Sequence, residues 1–220
     1  MITARHVRNH IQNLIDLLIN SEIAIAANPA VILSHGKTMR VTWPVKSALT
    51  TVPVPFGTIG EYMRILEARA YSVVLFDGAL LQISYDIVRK DIMGHRLCYY
   101  PCPFDVDKEL LLGEPILDVV EAYASSESTG VRLRSPIRFD FSLREGITYP
   151  NSHVHLLWPH CRCPVFAPLS LGHFIRFVFS NFYPELWYRH SFLQEWPQEP
   201  TDRTISPDQE CSLHFTCRNA

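Results

Sequence analysis

The chain has 220 residues, 47% of them hydrophobic and 19% charged, with a net charge of −2 when histidine is neutral. That is enough apolar mass for a large core and too little charge for long disorder, and it lacks the basic excess that drives non-specific nucleic-acid binding. No run of about eighteen apolar residues occurs, which excludes a helical membrane span, and MITARHVRNH lacks the apolar stretch of a secretory signal, so a cytoplasmic location is expected.

Thr3 can cap a first helix, in which Val7, Ile11, Leu14, Ile15 and Leu18 recur at helical spacing; the helix is expected to end between Asn20 and Ile25. Extended runs over 30–43 flank His35-Gly36-Lys37 and predict a hairpin. Pro44, Pro53 and Pro55 mark a connecting loop, and 57–70 predicts a short helix with Ile59, Met63, Leu66 and Ala70 on one face. A strand is expected at 72–78. Over 79–88, Leu81, Ile83, Tyr85 and Ile87 alternate with Gln82, Ser84 and Asp86. RKDIMG turns the chain, and 95–101 returns with Arg96, Cys98 and Tyr100 on one face. Residues 114–124 predict a helix, and 125–130 a loop tip.

Strands IRFDF (137–141) and HVHLLW (153–158) read as the next hairpin, and Ser170 can cap a last long helix with Phe174, Phe177, Val178 and Phe182 along one stripe. Residues 184–208 are rich in Pro and Trp and are expected to wrap the surface, and 210–217 to close the sheet as a final strand. Short turns between adjacent strands imply an antiparallel sheet. The expected fold is α+β, a single domain over 1–220 with helices packed on one face of hairpins and a meander.

Chemistry concentrates between Pro136 and Tyr183. Alternation places Arg138 and Asp140 on one face of the first strand, and His153 and His155 on one face of the second. If the strands pair, the four can share a side with Gln82, Ser84, Arg96 and Tyr100. Imidazole with a carboxylate suits acid–base chemistry, and arginine suits phosphate or carboxylate. The plain alternative is a solvated polar sheet face. Sixteen of the cations are Arg and four are Lys, a bias that GC-rich codon usage also produces. The six cysteines fall in close pairs, which in a cytosolic chain suggests reduced thiols or a metal site. His153, His155, Cys161 and Cys163 are the candidate metal ligands, but their spacing is not that of a zinc ribbon or finger. Ser152 beside His153 lacks a nucleophile elbow, and neither a P-loop nor a dinucleotide fingerprint occurs.

The blocks IRFDF, YPNSHVHL, CRCPV and FIRFVFSNFY resemble the bacterial domain-of-unknown-function family number 2290, whose pattern runs PIRFDYD, HPxSHLT, NCRIPV and FILRNFY. LLQISYD and HRLCYYPCPF resemble its earlier strand pair, so the similarity covers 79–183, the family-like core, before the 184–208 segment. Arg138, Asp140, Pro150, Ser152, His153, Arg162 and Asn181 match the pattern. Tyr149 stands where it has His, His155 where it has Thr, and Cys163 where it has Ile. The resemblance implies a related fold, no established activity, and a setting in mobile elements or phage defence.

Two functional readings remain open. In the first, Asp140 and His153 act as acid–base or metal-assisting groups, while Arg138, Arg96, Arg162 and Ser152 bind an anion: a phosphate-containing ligand, a nucleotide or nucleic acid. In the second, the Arg–Asp–His set is structural, and the aromatic 184–200 segment docks a protein partner.

Overall fold

A computed structural model describes residues 3–44, 57–126, 131–143, 149–156, 158 and 160–216. Thr3 opens α1 (Ala4–Asn20), its Oγ1 accepting the His6 N–H at 3.1 Å. The helix buries Val7, Ile11, Leu14, Ile15 and Leu18, the predicted stripe. Each fully buried Leu or Ile contributes about 2 kcal/mol relative to exposure. A short strand β1 (Ala24–Ala27) follows, then the hairpin β2 (Val31–His35) and β3 (Thr38–Thr42), turned at Gly36 with φ of 62°. Only Pro44 of the predicted 44–56 loop is among the described residues.

Helix α2 (Ile59–Glu67) is capped by Thr58 and buries Tyr62, Ile65 and Leu66. The predicted stripe is thus rotated. Ile59 stays exposed and Tyr62 takes the core, where its hydroxyl donates to the Gly78 carbonyl. Strands β4 (Val73–Leu75), β5 (Leu80–Val88) and β6 (Asp91–Tyr100) form the meander, with the tight turn at Arg89 in the left-handed region. The turn is shorter than RKDIMG suggested, because β6 already begins at Asp91. Two helices follow, α3 (Lys108–Gly113) and α4 (Ile116–Ser125), the first of them unforeseen. Of the predicted loop tip at 125–130, residues 127–130 lie outside the described residues.

The second hairpin is β7 (Ile137–Ser142) and β8 (Ser152–Leu156), extended by the two-residue β9 (Cys163–Pro164). Ser170 caps α5 (Leu171–Phe182), which leads into α6 (Pro184–Arg189) and α7 (Ser191–Gln194). Helix α8 (Pro207–Glu210) comes next, and of the strand predicted at 210–217 the described residues form only one parallel bridge, from Phe215 to Val165. Ser206 and Gln209 make a capping box with Pro207 in the first turn, which starts α8 at the end of the segment expected to wrap the surface.

The strands form one sheet in the order β1-β4-β5-β6-β7-β8-β9, all pairs antiparallel, and β3 joins the far end of β5. This is the expected α+β architecture with an antiparallel sheet, but the helices cover parts of both faces and not one alone. One face carries Leu81, Ile83, Tyr85, Leu97, Phe139 and Val154 beneath α1 and α5. The opposite face divides in two. Leu80, Cys98 and Tyr100 lie under Tyr62, Ile65 and Val120 of α2 and α4. The remainder, around Ser84, Arg96 and Asp140, is left as an open basin.

The chain after α7 straps across the start of α5. A Cβ on Gly172 would meet the Pro197 carbonyl oxygen at 2.1 Å, a backbone contact that cannot swing aside. Gly172→Ala is therefore expected to destabilise the fold by about 2 kcal/mol, against the stabilisation that alanine normally brings to a helix. Urea denaturation reads the loss, and an unchanged or higher midpoint would show that the strap is not seated there.

Candidate functional site

Antiparallel pairing brings the polar residues of four strands into two transverse rows. Ser84, Arg96, Asp140 and His153 are successive partners across β5, β6, β7 and β8. Gln82, Cys98, Arg138 and His155 form the neighbouring row. Period-2 alternation then directs these side chains to one face. All of them but Gln82 and Cys98 line a basin of about 480 Å³. A larger groove of about 580 Å³ lies between Ile23, Phe76 and Phe182 and contains none of the candidate residues.

Asp140 is the hub. Its Oδ2 accepts from Arg138 Nε at 2.9 Å, and its Oδ1 lies 3.4 Å from Arg96 Nε. His155 Nε2 is 3.4 Å from Oδ2. Burial alone would raise the Asp140 carboxyl, but the His155 hydrogen bond and the charges of Arg96 and Arg138 outweigh it and hold the group well below the usual carboxylate range. Asp140 is therefore a permanent anion at neutral pH.

The two imidazoles meet edge to edge, Nε2 to Nε2, at 3.1 Å. His153 Nδ1 is 2.8 Å from the Pro150 carbonyl. A carbonyl only accepts, so Nδ1 carries the proton, and Nε2 of a neutral His153 presents a lone pair into the site. Burial keeps His153 below its ordinary range, opposed by the Pro150 carbonyl and reinforced by His155.

Arg162 enters from the loop between β8 and β9. Its guanidinium lies 4.2 Å over the Tyr149 ring. Its Nε is buried and has no acceptor among the described residues. Arg40 and Asp86, which the sequence reading did not single out, close the rim with a bidentate pair of 2.7 and 2.8 Å. Asp86 was legible by alternation, but Arg40 reaches it only through the pairing of β3 with β5. Four arginines (40, 96, 138 and 162) and two aspartates (86 and 140) line the basin, so a net acidic chain carries a locally cationic pocket.

The structure thus brings together Arg96, Arg138, Asp140, His153, His155 and Arg162. Ser152 is not with them. It pairs with Phe141 on the opposite face, where its Oγ accepts from Thr204 at 2.9 Å. Alternation separates it from His153, so the anion-binding role assigned to Ser152 is corrected. Cys161 and Cys163 also part from the histidines. Their Sγ atoms lie 3.8 Å apart, and Cys163, opposite Val154, packs toward the α1–α5 core. The thiols at 98, 102, 161 and 163 are free, and burial pushes Cys98 up to about 12, as expected of an inert packed thiol. Among the described residues, two groups can gather three metal-ligating atoms: Asp140, His153 and His155, and the more exposed His6, His10 and Glu199.

Residues 184–200 do not form a free aromatic surface. Trp187 and Leu193 belong to the core, while Tyr188 stands out at 79% exposure. No described helix is long and apolar enough to cross a membrane.

Neither the curated proteins nor the solved structures contain a match to this chain. One family profile, described as "Uncharacterized conserved protein (DUF2290)", matches residues 23–217, a wider span than the 79–183 blocks that carried the resemblance. The rows of Arg, Asp and His therefore sit inside the matched region, and the chain belongs to the DUF2290 family.

Proposed function

We propose that the basin on the β5–β8 face binds an oxyanion, the phosphate of a phosphomonoester or phosphodiester, with His153 as its general base and the ionised Asp140 as the group that positions the arginines. The observation that carries this is Arg162: a guanidinium stacked on Tyr149, with a buried Nε that has no acceptor among the described residues. A buried donor left without a partner costs about 1–3 kcal/mol, and a ligand oxygen recovers it. Arg138 and Arg96 are held beside it by Asp140, so their charges are in place before the ligand arrives. His153 Nε2 faces the same space as a neutral base, its ring oriented by the Pro150 carbonyl at Nδ1.

Pyrophosphate, titrated calorimetrically, is expected to bind the wild-type chain. Arg162→Ala should weaken it at least about tenfold, or about 1.4 kcal/mol, without changing the thermal midpoint by more than a few degrees. Equal affinity in the two proteins would remove the reading.

A further inference from the structure

Three potential acceptor atoms converge where β7 and β8 pair: Asp140 Oδ2, His153 Nε2 and His155 Nε2, all within 4.8 Å of one another. The two nitrogens are 3.1 Å apart, and His155 Nε2 is 3.4 Å from the carboxylate oxygen. At most one proton can lie between the two facing nitrogens. Metal–ligand bonds of roughly 2.0–2.2 Å at tetrahedral to octahedral angles place ligand atoms about 2.9–3.5 Å apart. The two measured separations fall in that interval.

We propose that Asp140, His153 and His155 are the protein ligands of one first-row divalent metal ion of the zinc class, leaving coordination positions open toward the arginines.

The surroundings fit such a centre. The His153 Nδ1–H donates to the Pro150 carbonyl, the outer contact that orients a ligating imidazole and frees its Nε2. Arg138 holds the ligating oxygen itself at 2.9 Å, and Arg96 lies 3.4 Å from the carboxylate's other oxygen. A nitrogen-rich set with one carboxylate suits zinc, cobalt or iron better than magnesium or calcium. The two neighbouring guanidinia favour an anion on the open positions. Here the proposal deepens the oxyanion reading and rests on it for the identity of that outer ligand. Metal and anion then strengthen each other's binding by the same factor.

The rival cluster is His6, His10 and Glu199, in which a single carboxylate oxygen lies 2.8 Å from His6 Nε2 and 3.7 Å from His10 Nδ1. It is more exposed and has the form of a surface ion pair. It must nevertheless be removed from the assay.

Chelator-stripped wild-type protein and the His6→Ala/His10→Ala double variant are dialysed against zinc chloride and assayed by plasma mass spectrometry. One zinc per chain is expected in both. Asp140→Asn or His153→Ala, made in the double-variant background, should weaken zinc at least tenfold. Absence of zinc from the wild type, or its loss in the double variant, overturns the proposal. Should the site variants fail to fold, X-ray absorption of the zinc-loaded double variant decides instead. Two imidazoles without sulfur support the site, and sulfur neighbours would move the metal to Cys161 and Cys163 and overturn it. Pyrophosphate titration of the same samples separates the two ideas. Anion binding without zinc removes the metal and keeps the oxyanion reading, whereas zinc without anion binding does the reverse.

Discussion

Asp140→Asn is expected to cost the folded chain about 3 kcal/mol at pH 7 and to disorganise the pocket. The substitution leaves the carboxylate's shape and removes its charge, so Arg138, at 2.9 Å, loses its counter-ion in a half-buried setting. Breaking one partner out of such a pair costs more than the pair contributes, because the remaining charge stays partly desolvated. The pH dependence gives the effect a signature. Asp140 is held below its unfolded value near about 3.9, so its contribution is complete above that pH and is lost as the pH falls toward the folded value. The gap between wild type and Asp140→Asn should therefore narrow by about 1 kcal/mol between pH 7 and pH 3. Urea midpoints at the two pH values measure it. A gap of constant size would mean that the carboxylate charge is not what the arginines need.

The second large effect comes from a histidine outside the pocket chemistry. His95 points to the core face, its Nε2 accepting the Leu169 N–H at 3.0 Å between the rings of Tyr85 and Phe141. Burial pushes it down to about 4, against the pull of the Asp140 charge. This is the reverse of a histidine that gains a partner. The unfolded chain takes up a proton near pH 6.5 and the folded chain does not until about 4, so stability is full above 6.5 and falls through that window. The loss reaches about 1.4 kcal/mol per pH unit at its steepest and about 3 kcal/mol in all. His153, also lowered, acts in the same direction. His95→Gln keeps an acceptor for Leu169 and has no such proton, so its stability should fall more gently from pH 6.5 to 4. Parallel profiles for the two proteins would show that the imidazole is protonated in the fold.

Alternation in the sequence was enough to put Arg138 with Asp140 and His153 with His155, because a strand's side-chain period is two and local. The same rule separates Ser152 from His153; Ser152 joined the candidates through its match to the family pattern, which carries no information on which face it occupies. What alternation could not supply was register. The rows from Ser84 to His153 and from Gln82 to His155 depend on how four strands slide against one another, which turns and core packing decide. Arg40 enters the basin through a hairpin far away in sequence, so no local pattern announces it. Trp187 was misread for a related reason. A Trp among prolines looks superficial, but α6 turns it into the core beneath Arg176. β1 and α3 were missed because four and six residues are too short for a period to register.

The role of Arg162 as an open oxyanion donor is tested most directly by nuclear magnetic resonance of arginine Nε–H and imidazole nitrogens during addition of pyrophosphate. Saturable shifts at Arg162 Nε and at the His153 and His155 ring nitrogens, with His95 unmoved, are the expected result. Shifts confined to the exposed His6 and His10, or none at all, would contradict the assignment of this face as the binding site.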